Sequence, residues 1–339
     1  MLERFLVPKE DQILIESESM TQATKQIFLK MGLSEDDAQL SSEVLMTSDL
    51  RGCESHGVSN MLPIYVDRFG EGAKDLGINP TPNFRITRES PTTANIDGDD
   101  GLGLHVLPKA MEIAIEKAEK YGSGSVAVHN SRHIGMLAYH SMMALEHDMI
   151  GLTMTAGNSM AMVPTHGAEK RLSTNPWAYA VPADKEPPFV FDVATTQVAG
   201  NKLSLAKRVG AKMDSAWITD SKGNPILNEV DLPDDREDYM MLPFGGTREN
   251  GSHKGYGYAA VAEIFSDILS GMGPGFLMPP NTYGEMGHFV QVINTLTTTS
   301  NDLVVGVSLL LFSFTIHTYT YVRTYIIYIY MYTHSHIFF

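Results

Sequence analysis

The chain of 339 residues has one cysteine, Cys53, and two tryptophans, and it is short of positive charge, with 25 Lys and Arg against 40 Asp and Glu. A single cysteine excludes an intrachain disulfide and a thiolate zinc site, and it fits a reducing compartment. The formal net charge of −15 disfavours a nucleic-acid backbone or an anionic membrane as main partner. It leaves room for a local basic pocket. Internal repeats and charge blocks are missing. So is the Gly-x-Gly-x-x-Gly dinucleotide fingerprint. Gly101-x-Gly103 lacks the third glycine, Gly122-Ser123-Gly124 precedes a strand, and Gly271 to Gly275 follows a helix. A dinucleotide, if bound, needs another fold. A metal site is disfavoured as well. His129, His133, His140 and His147 recur at spacings of 4, 7 and 7, but the first two fall in a turn context. The N-terminal MLERFLVPKEDQ is too charged for a signal-peptide core.

What is present is an ordinary globular balance, 43% hydrophobic and 19% charged, enough for one large or two ordinary domains. Apolar spacing predicts a helix over 21–31 and, after the Ser34-Glu35-Asp36-Asp37 capping signal, another from Glu35 to about Asp49. Met61 to Phe69 reads as a third helix. Strands are predicted at 84–87, 93–97, 125–128, 150–155, 178–181 and 189–193, and helices at 106–120, 138–147 and 259–269. Alternating strands and helices define an α/β (α+β) class.

Four polar clusters fall at strand ends or loops: Ser55-His56-Gly57, Ser131-x-His133-x-Gly135, Asp192 to Thr196 and Gly251 to Gly257. Singly, each has an ordinary structural reading, such as a loop histidine or an aspartate N-cap. Jointly they suit a carbonyl/alcohol redox step. His133, at a strand-to-helix turn, moves a proton near pH 7. A carboxylate orients a second histidine, and a nicotinamide carries the hydride. The loop entering the helix at Gly251 has backbone N–H groups suited to a diphosphate, with Lys254 adding charge.

These clusters and their order resemble the type 2 malate/L-lactate dehydrogenase family, which also holds ureidoglycolate, sulfolactate and Δ1-piperideine-2-carboxylate oxidoreductases. The matching motifs are Asp49-Leu50-Arg51-Gly52 with Ser55-His56-Gly57-Val58, Gly101-Leu102-Gly103, Asn130-Ser131-x-His133-x-Gly135, Leu172 to Pro176, Asp192-x-Ala194-Thr195 and His253 to Gly257, spread over about residues 10 to 294. The resemblance implies a homodimer with a non-Rossmann NAD(P)-binding domain and a separate helical domain. It implies oxidation of a small 2-hydroxy acid, malate first, or reduction of its 2-oxo acid, in the cytoplasm. His133 matches the acid/base, with Ser55, His56 and Asp192 as a relay. Asn158, Ser159, Asn175, Pro176, Asp192, Val193, Ala194, His253, Lys254 and Gly255 match cofactor positions.

Two departures stand out. The family's carboxylate-gripping arginine, four residues after the motif histidine, is Asn60 here; Asn60 is expected to hydrogen-bond the substrate carboxylate without a charge, and Arg51 or Arg132 to substitute for the missing cation. From about Thr295 the likeness stops, and residues 303–322 carry no charged side chain. Such a run has the length of a membrane span, but its Thr, Ser, Tyr and His content suits one poorly. The expected organisation is a helical domain over 1–80, a cofactor- and substrate-binding domain over 81–258, a helix and strand returning to the helical domain over 259–294, and a hydrophobic tail over 295–339. The tail reads as an alternative or misassembled coding end, with a membrane tail as the alternative. Two other functional readings remain open, a cyclic-imine reductase with the same site and a truncated, inactive isoform.

Overall fold

The computed structural model describes residues 14–69, 77–279, 285–298, 306–308 and 310. Most of the expected tail therefore lies outside the described residues. Three helices come first: α1 (Ser17–Lys30), α2 (Glu35–Leu50) and α3 (Val58–Phe69). Ser34 caps α2 as its sequence predicts, accepting from Asp37 N–H at 3.2 Å. Phe28, Leu45, Met61 and Tyr65 pack these helices into a core of their own, which Leu102 and Leu104 join to the rest.

A seven-stranded sheet follows. In chain order its parts are β1 (Arg85–Glu89), β2 (Thr93–Gly101), α4 (Gly103–Tyr121), β3 (Ser123–Ser131), α5 (Leu137–Met142), β4 (Met149–Gly157), β5 (Trp177–Val181) and β6 (Phe189–Val193). Then come α6 (Gly200–Val209), a small hairpin of β7 (Ile218–Asp220) and β8 (Tyr239–Met241), α7 (Ser252–Glu263) and β9 (Met286–Asn294). The sheet order is β1-β2-β3-β9-β4-β5-β6, and only β2–β3 is parallel. This is a mixed α/β fold, not a doubly wound parallel one, which agrees with the missing fingerprint.

Alternation along each strand sorts the two faces. Val126, Val128, Val290 and Val292 pack beneath α4 and α5. Ala127, Met154 and Phe289 face the other way, against Ala262 of α7. The 259–294 segment therefore does not return to the helical domain. Its helix covers the second sheet face, and β9 lies between β3 and β4, antiparallel to both. Its run Phe289-Val290-Gln291-Val292-Ile293 is apolar at nearly every position, as suits a strand buried on both faces.

Candidate active site

His133 sits in the turn between β3 and α5, where its sequence context predicts it. Gly135, two residues on, has φ 70°, a left-handed conformation that strains any side chain. That turn folds Gly135 N–H back onto His133 Nδ1 at 3.1 Å. Tyr65 Oη, from α3, meets the same nitrogen at 2.7 Å. A backbone N–H can only donate, so Nδ1 accepts, and the neutral ring carries its proton on Nε2. Burial holds the His133 pKa well below the usual histidine range, helped by His56, Arg68, His288 and His140. The ring is therefore neutral at pH 7. It lines a cavity of ≈ 390 Å³.

Ser55 and His56 form a short helical turn before α3, and Ser55 Oγ lies 2.8 Å from His56 Nδ1. His56 stacks on His133 with centroids 5.7 Å apart and planes 11° from parallel. Burial lowers the His56 pKa to about 4, so two neutral imidazoles face each other.

Asp192 also lines the cavity, but the hydrogen bond of its carboxylate goes to α5 and not to His56. Its Oδ2 accepts from Ala138 N–H at 2.8 Å and so fastens the first turn of α5 behind His133. Solvent touches this carboxyl while protein surrounds it. Desolvation raises its pKa to about 6, against the Ala138 and Leu137 N–H groups and the charge of Arg51.

The residues expected to grip a carboxylate lie elsewhere. Asn60 Oδ1 accepts from Arg208 of α6 at 3.0 Å, outside the cavity. Arg132 is 5% exposed. It is consumed by Asp100 at 3.0 Å, Gly77 O at 3.2 Å and Ser131 O at 3.0 Å. Its charge neutralises an acidic turn rather than a ligand. Arg51 does not line the cavity, and its charge reaches Asp192 and Cys53.

Of the expected cofactor positions, Ser159, Pro176, Asp192 and Ala194 line the cavity, and Asn158 and Val193 adjoin lining residues. Asn175 is fully buried, its Nδ2 donating to Ala259 O at 3.0 Å and Glu263 Oε2 at 2.8 Å. It braces α7 against the cavity wall. His253, Lys254 and Gly255 begin α7 but lie outside the cavity. The Ser252 and Lys254 N–H groups already donate to Thr247 O and Gly251 O, so this helix entry is less free for a diphosphate than its sequence predicts. Sequence reasoning passed over Tyr65 and Arg68. Their signal is the i, i+3, i+4, i+7 spacing of Met61, Ile64, Tyr65 and Arg68 along α3. Among the described residues, no group of three or more His, Cys, Asp or Glu is placed to hold a metal ion.

A mixed-sheet α/β fold with a neutral, anchored histidine in a largely apolar cleft suits one class, enzymes acting on a small carbonyl or alcohol. The family can be stated as well. The family model described as malate/L-lactate dehydrogenase matches residues 15–304, so the chain belongs to that family, and the match runs past residue 294, where the likeness was expected to end. A malate dehydrogenase of Pyrococcus abyssi is 41% identical over 264 residues, 77% of this chain and 70% of the relative. An L-sulfolactate dehydrogenase of Methanocaldococcus jannaschii is 40% identical, over 71% of this chain and 65% of its own length. The solved structure of Pyrococcus horikoshii malate dehydrogenase superposes with a TM-score of 0.78 at 33% identity, over 90% of this chain and 82% of that one. The chain is thus an oxidoreductase acting on the CH–OH group of a hydroxy acid.

Proposed function

We propose that the cleft interconverts a small 2-hydroxy acid, malate first among them, and its 2-oxo acid, with a nicotinamide cofactor, NAD or NADP, as the hydride carrier. One observation carries this reading. His133 is neutral and oriented, with Nδ1 held from two sides and Nε2 left for a ligand. In the reduction direction Nε2–H hydrogen-bonds the 2-oxo oxygen, much as a neutral imidazole polarises a carbonyl. In the oxidation direction the other tautomer takes the hydroxyl proton. That tautomer gives up the Gly135 N–H bond to Nδ1, and Tyr65 Oη compensates, because a hydroxyl can accept from Nδ1–H as well as donate to Nδ1. Stacked His56, tied to Ser55, keeps a second titratable ring beside the first.

The cavity's composition fits the cofactor. Met160, Ala161, Pro176 and Met241 offer an apolar wall for a planar ring, and Ser159, Ser173 and Thr174 offer hydroxyls for its polar edge. When bound, the nicotinamide supplies or accepts the hydride at C2.

The expected loss for His133→Ala is ~10²–10⁴-fold in kcat, the usual range for a general acid/base, with cofactor affinity held. Near-normal turnover would remove His133 from the reaction. A panel of 2-oxo acids and cyclic imines, each with NADH and NADPH, identifies substrate and cofactor. Turnover of imines alone favours the reductase reading, and none at all an inactive isoform.

A cytoplasmic homodimer belongs to the same proposal. Ile264, Ile268, Leu269 and Leu277 are 51%, 44%, 54% and 70% exposed after α7, an apolar face suited to a second copy. Sedimentation at micromolar protein tests it, a monomer being the adverse result. Among the described residues no helix is long and apolar enough to cross a membrane.

A further inference from the structure

The proposed reaction needs a cation near His133, because a 2-oxo acid carries a carboxylate one bond from the reacting carbon. Arg132 and Asn60 are engaged elsewhere, and Arg51 lies outside the cavity. Three cationic side chains do line it: Arg68, Lys170 and Arg236. Lys170 Nζ is held by Arg236 O at 2.6 Å and lies 3.5 Å from Glu237. Like Arg236, Arg68 makes no ion pair to a described residue, whereas Lys170 pairs with Glu237. It differs from both in that its charge reaches His133 and Tyr65.

Its position explains why. Arg68 stands in the last turn of α3, three residues after Tyr65. Residues three apart are neighbours on a helix surface. Met61, Ile64 and Arg68 all line the cavity, while Tyr65 between them bonds His133. One face of one helix therefore presents the group that orients the histidine and, one turn on, a partly buried guanidinium. Asn60 lies off this face and meets Arg208 instead.

We propose that Arg68 binds the C1 carboxylate of the substrate and so places the C2 oxygen on His133 Nε2. The assignment rests on the 2-hydroxy-acid reading of the cleft. The planar guanidinium can pair both carboxylate oxygens, which a lysine cannot reproduce. A carboxylate held there lies beside the Tyr65–His133 contact, as a 2-oxo or 2-hydroxy acid requires.

The test uses the full chain with Arg68→Met and Arg68→Lys. Oxaloacetate and pyruvate serve as substrates, and oxalate, which has carboxylates but no reducible group, serves as a binding probe read by calorimetry. Arg68→Met should raise both KM values by ~10–100-fold, as loss of a charge-assisted pair does, with a smaller change in kcat. Oxalate affinity should fall in parallel, and cofactor affinity should hold. Unchanged KM and oxalate affinity in Arg68→Met overturn the assignment. If Arg68→Met fails to fold, Arg68→Lys decides at matched melting temperature, where a several-fold loss of oxalate affinity supports the assignment and parity overturns it. If the unmodified protein turns over no 2-oxo acid, the parent reading fails instead. The oxalate comparison still decides whether Arg68 is an anion anchor.

Discussion

In the proposed reaction the chemistry of the cleft turns on one nitrogen. His133 Nδ1 meets a fixed donor, Gly135 N–H, and a reversible one, Tyr65 Oη. Tyr65→Phe leaves the fixed donor alone in control and biases the ring toward Nε2–H. Loss of one hydrogen bond of about 1–1.5 kcal/mol corresponds to roughly tenfold, and the penalty should fall on kcat for alcohol oxidation more than on kcat for reduction. Equal losses in both directions would reduce Tyr65 to a packing residue. Asp192 makes a second prediction. Its pKa is raised to about 6, so its neutral form stabilises the fold below that pH, and the contribution is lost as pH rises through it. Asp192→Asn keeps an acceptor for Ala138 N–H and removes the ionisation, so the melting temperature above pH 6 should rise relative to the parent. The turn that holds His133 and the contact between Ser55 and His56 were legible in the sequence because a turn glycine and a Ser-His pair act through neighbours in the chain. Tyr65 and Arg68 were not, because choosing them requires knowing which face of α3 meets the cleft. Arg132 misled for the same reason, since its sequence neighbourhood says nothing of Asp100 across the turn.

Most helices and strands were also readable from their own patterns. Those that were missed lack such a pattern. Helix α6 has the mixed run Gly-Asn-Lys-Leu-Ser-Leu-Ala-Lys-Arg-Val, and its order comes from packing with Trp217, Met213 and Met241. The helix predicted at 259–269 begins earlier, at Ser252, and passes into a π-turn over Ile264–Ile268. There Glu263, the last residue of α7, and Asp267, inside the turn, are both buried. Burial and mutual repulsion raise the pKa of Asp267 well above the usual range. Element packing makes its own prediction at Gly151, where β4 runs beneath α5. A Cβ there would collide with the Ser141 carbonyl and stand 3.0 Å from Ala144 Cβ. Gly151→Ala should cost about 1–3 kcal/mol, the usual range for overpacking, read as a lower urea midpoint at unchanged slope. An unchanged midpoint would mean that α5 can lift from the sheet without loss.

Across the whole molecule, buried histidines set the acid limit. Burial lowers His56, His105 and His140 to about 4 and His288 to about 3, and His133 lies well below its ordinary value. These are bases depressed on folding, so their stabilising effect is complete above the unfolded value near 6.5 and is lost as pH falls toward the folded values. Asp192, Glu263 and Asp267, with raised pKa values, act in the opposite sense. His129 is lowered and Glu285 raised in the same way, so six depressed bases outnumber four raised acids and stability should fall as pH drops below about 6.5. Urea titrations at pH 7 and 5.5 check the slope, and a flat result would mean that solvent reaches the rings. The central strand carries one more consequence. β9 is the last strand of the sheet to be synthesised, yet it joins β3 to β4. Until Met286–Asn294 is made, the β3 and β4 edges that β9 fills have no partner in this sheet. Open edges invite pairing with other chains. Aggregation risk should therefore peak during translation, and slow decoding just before Met286 should lower soluble yield even though the finished protein is identical.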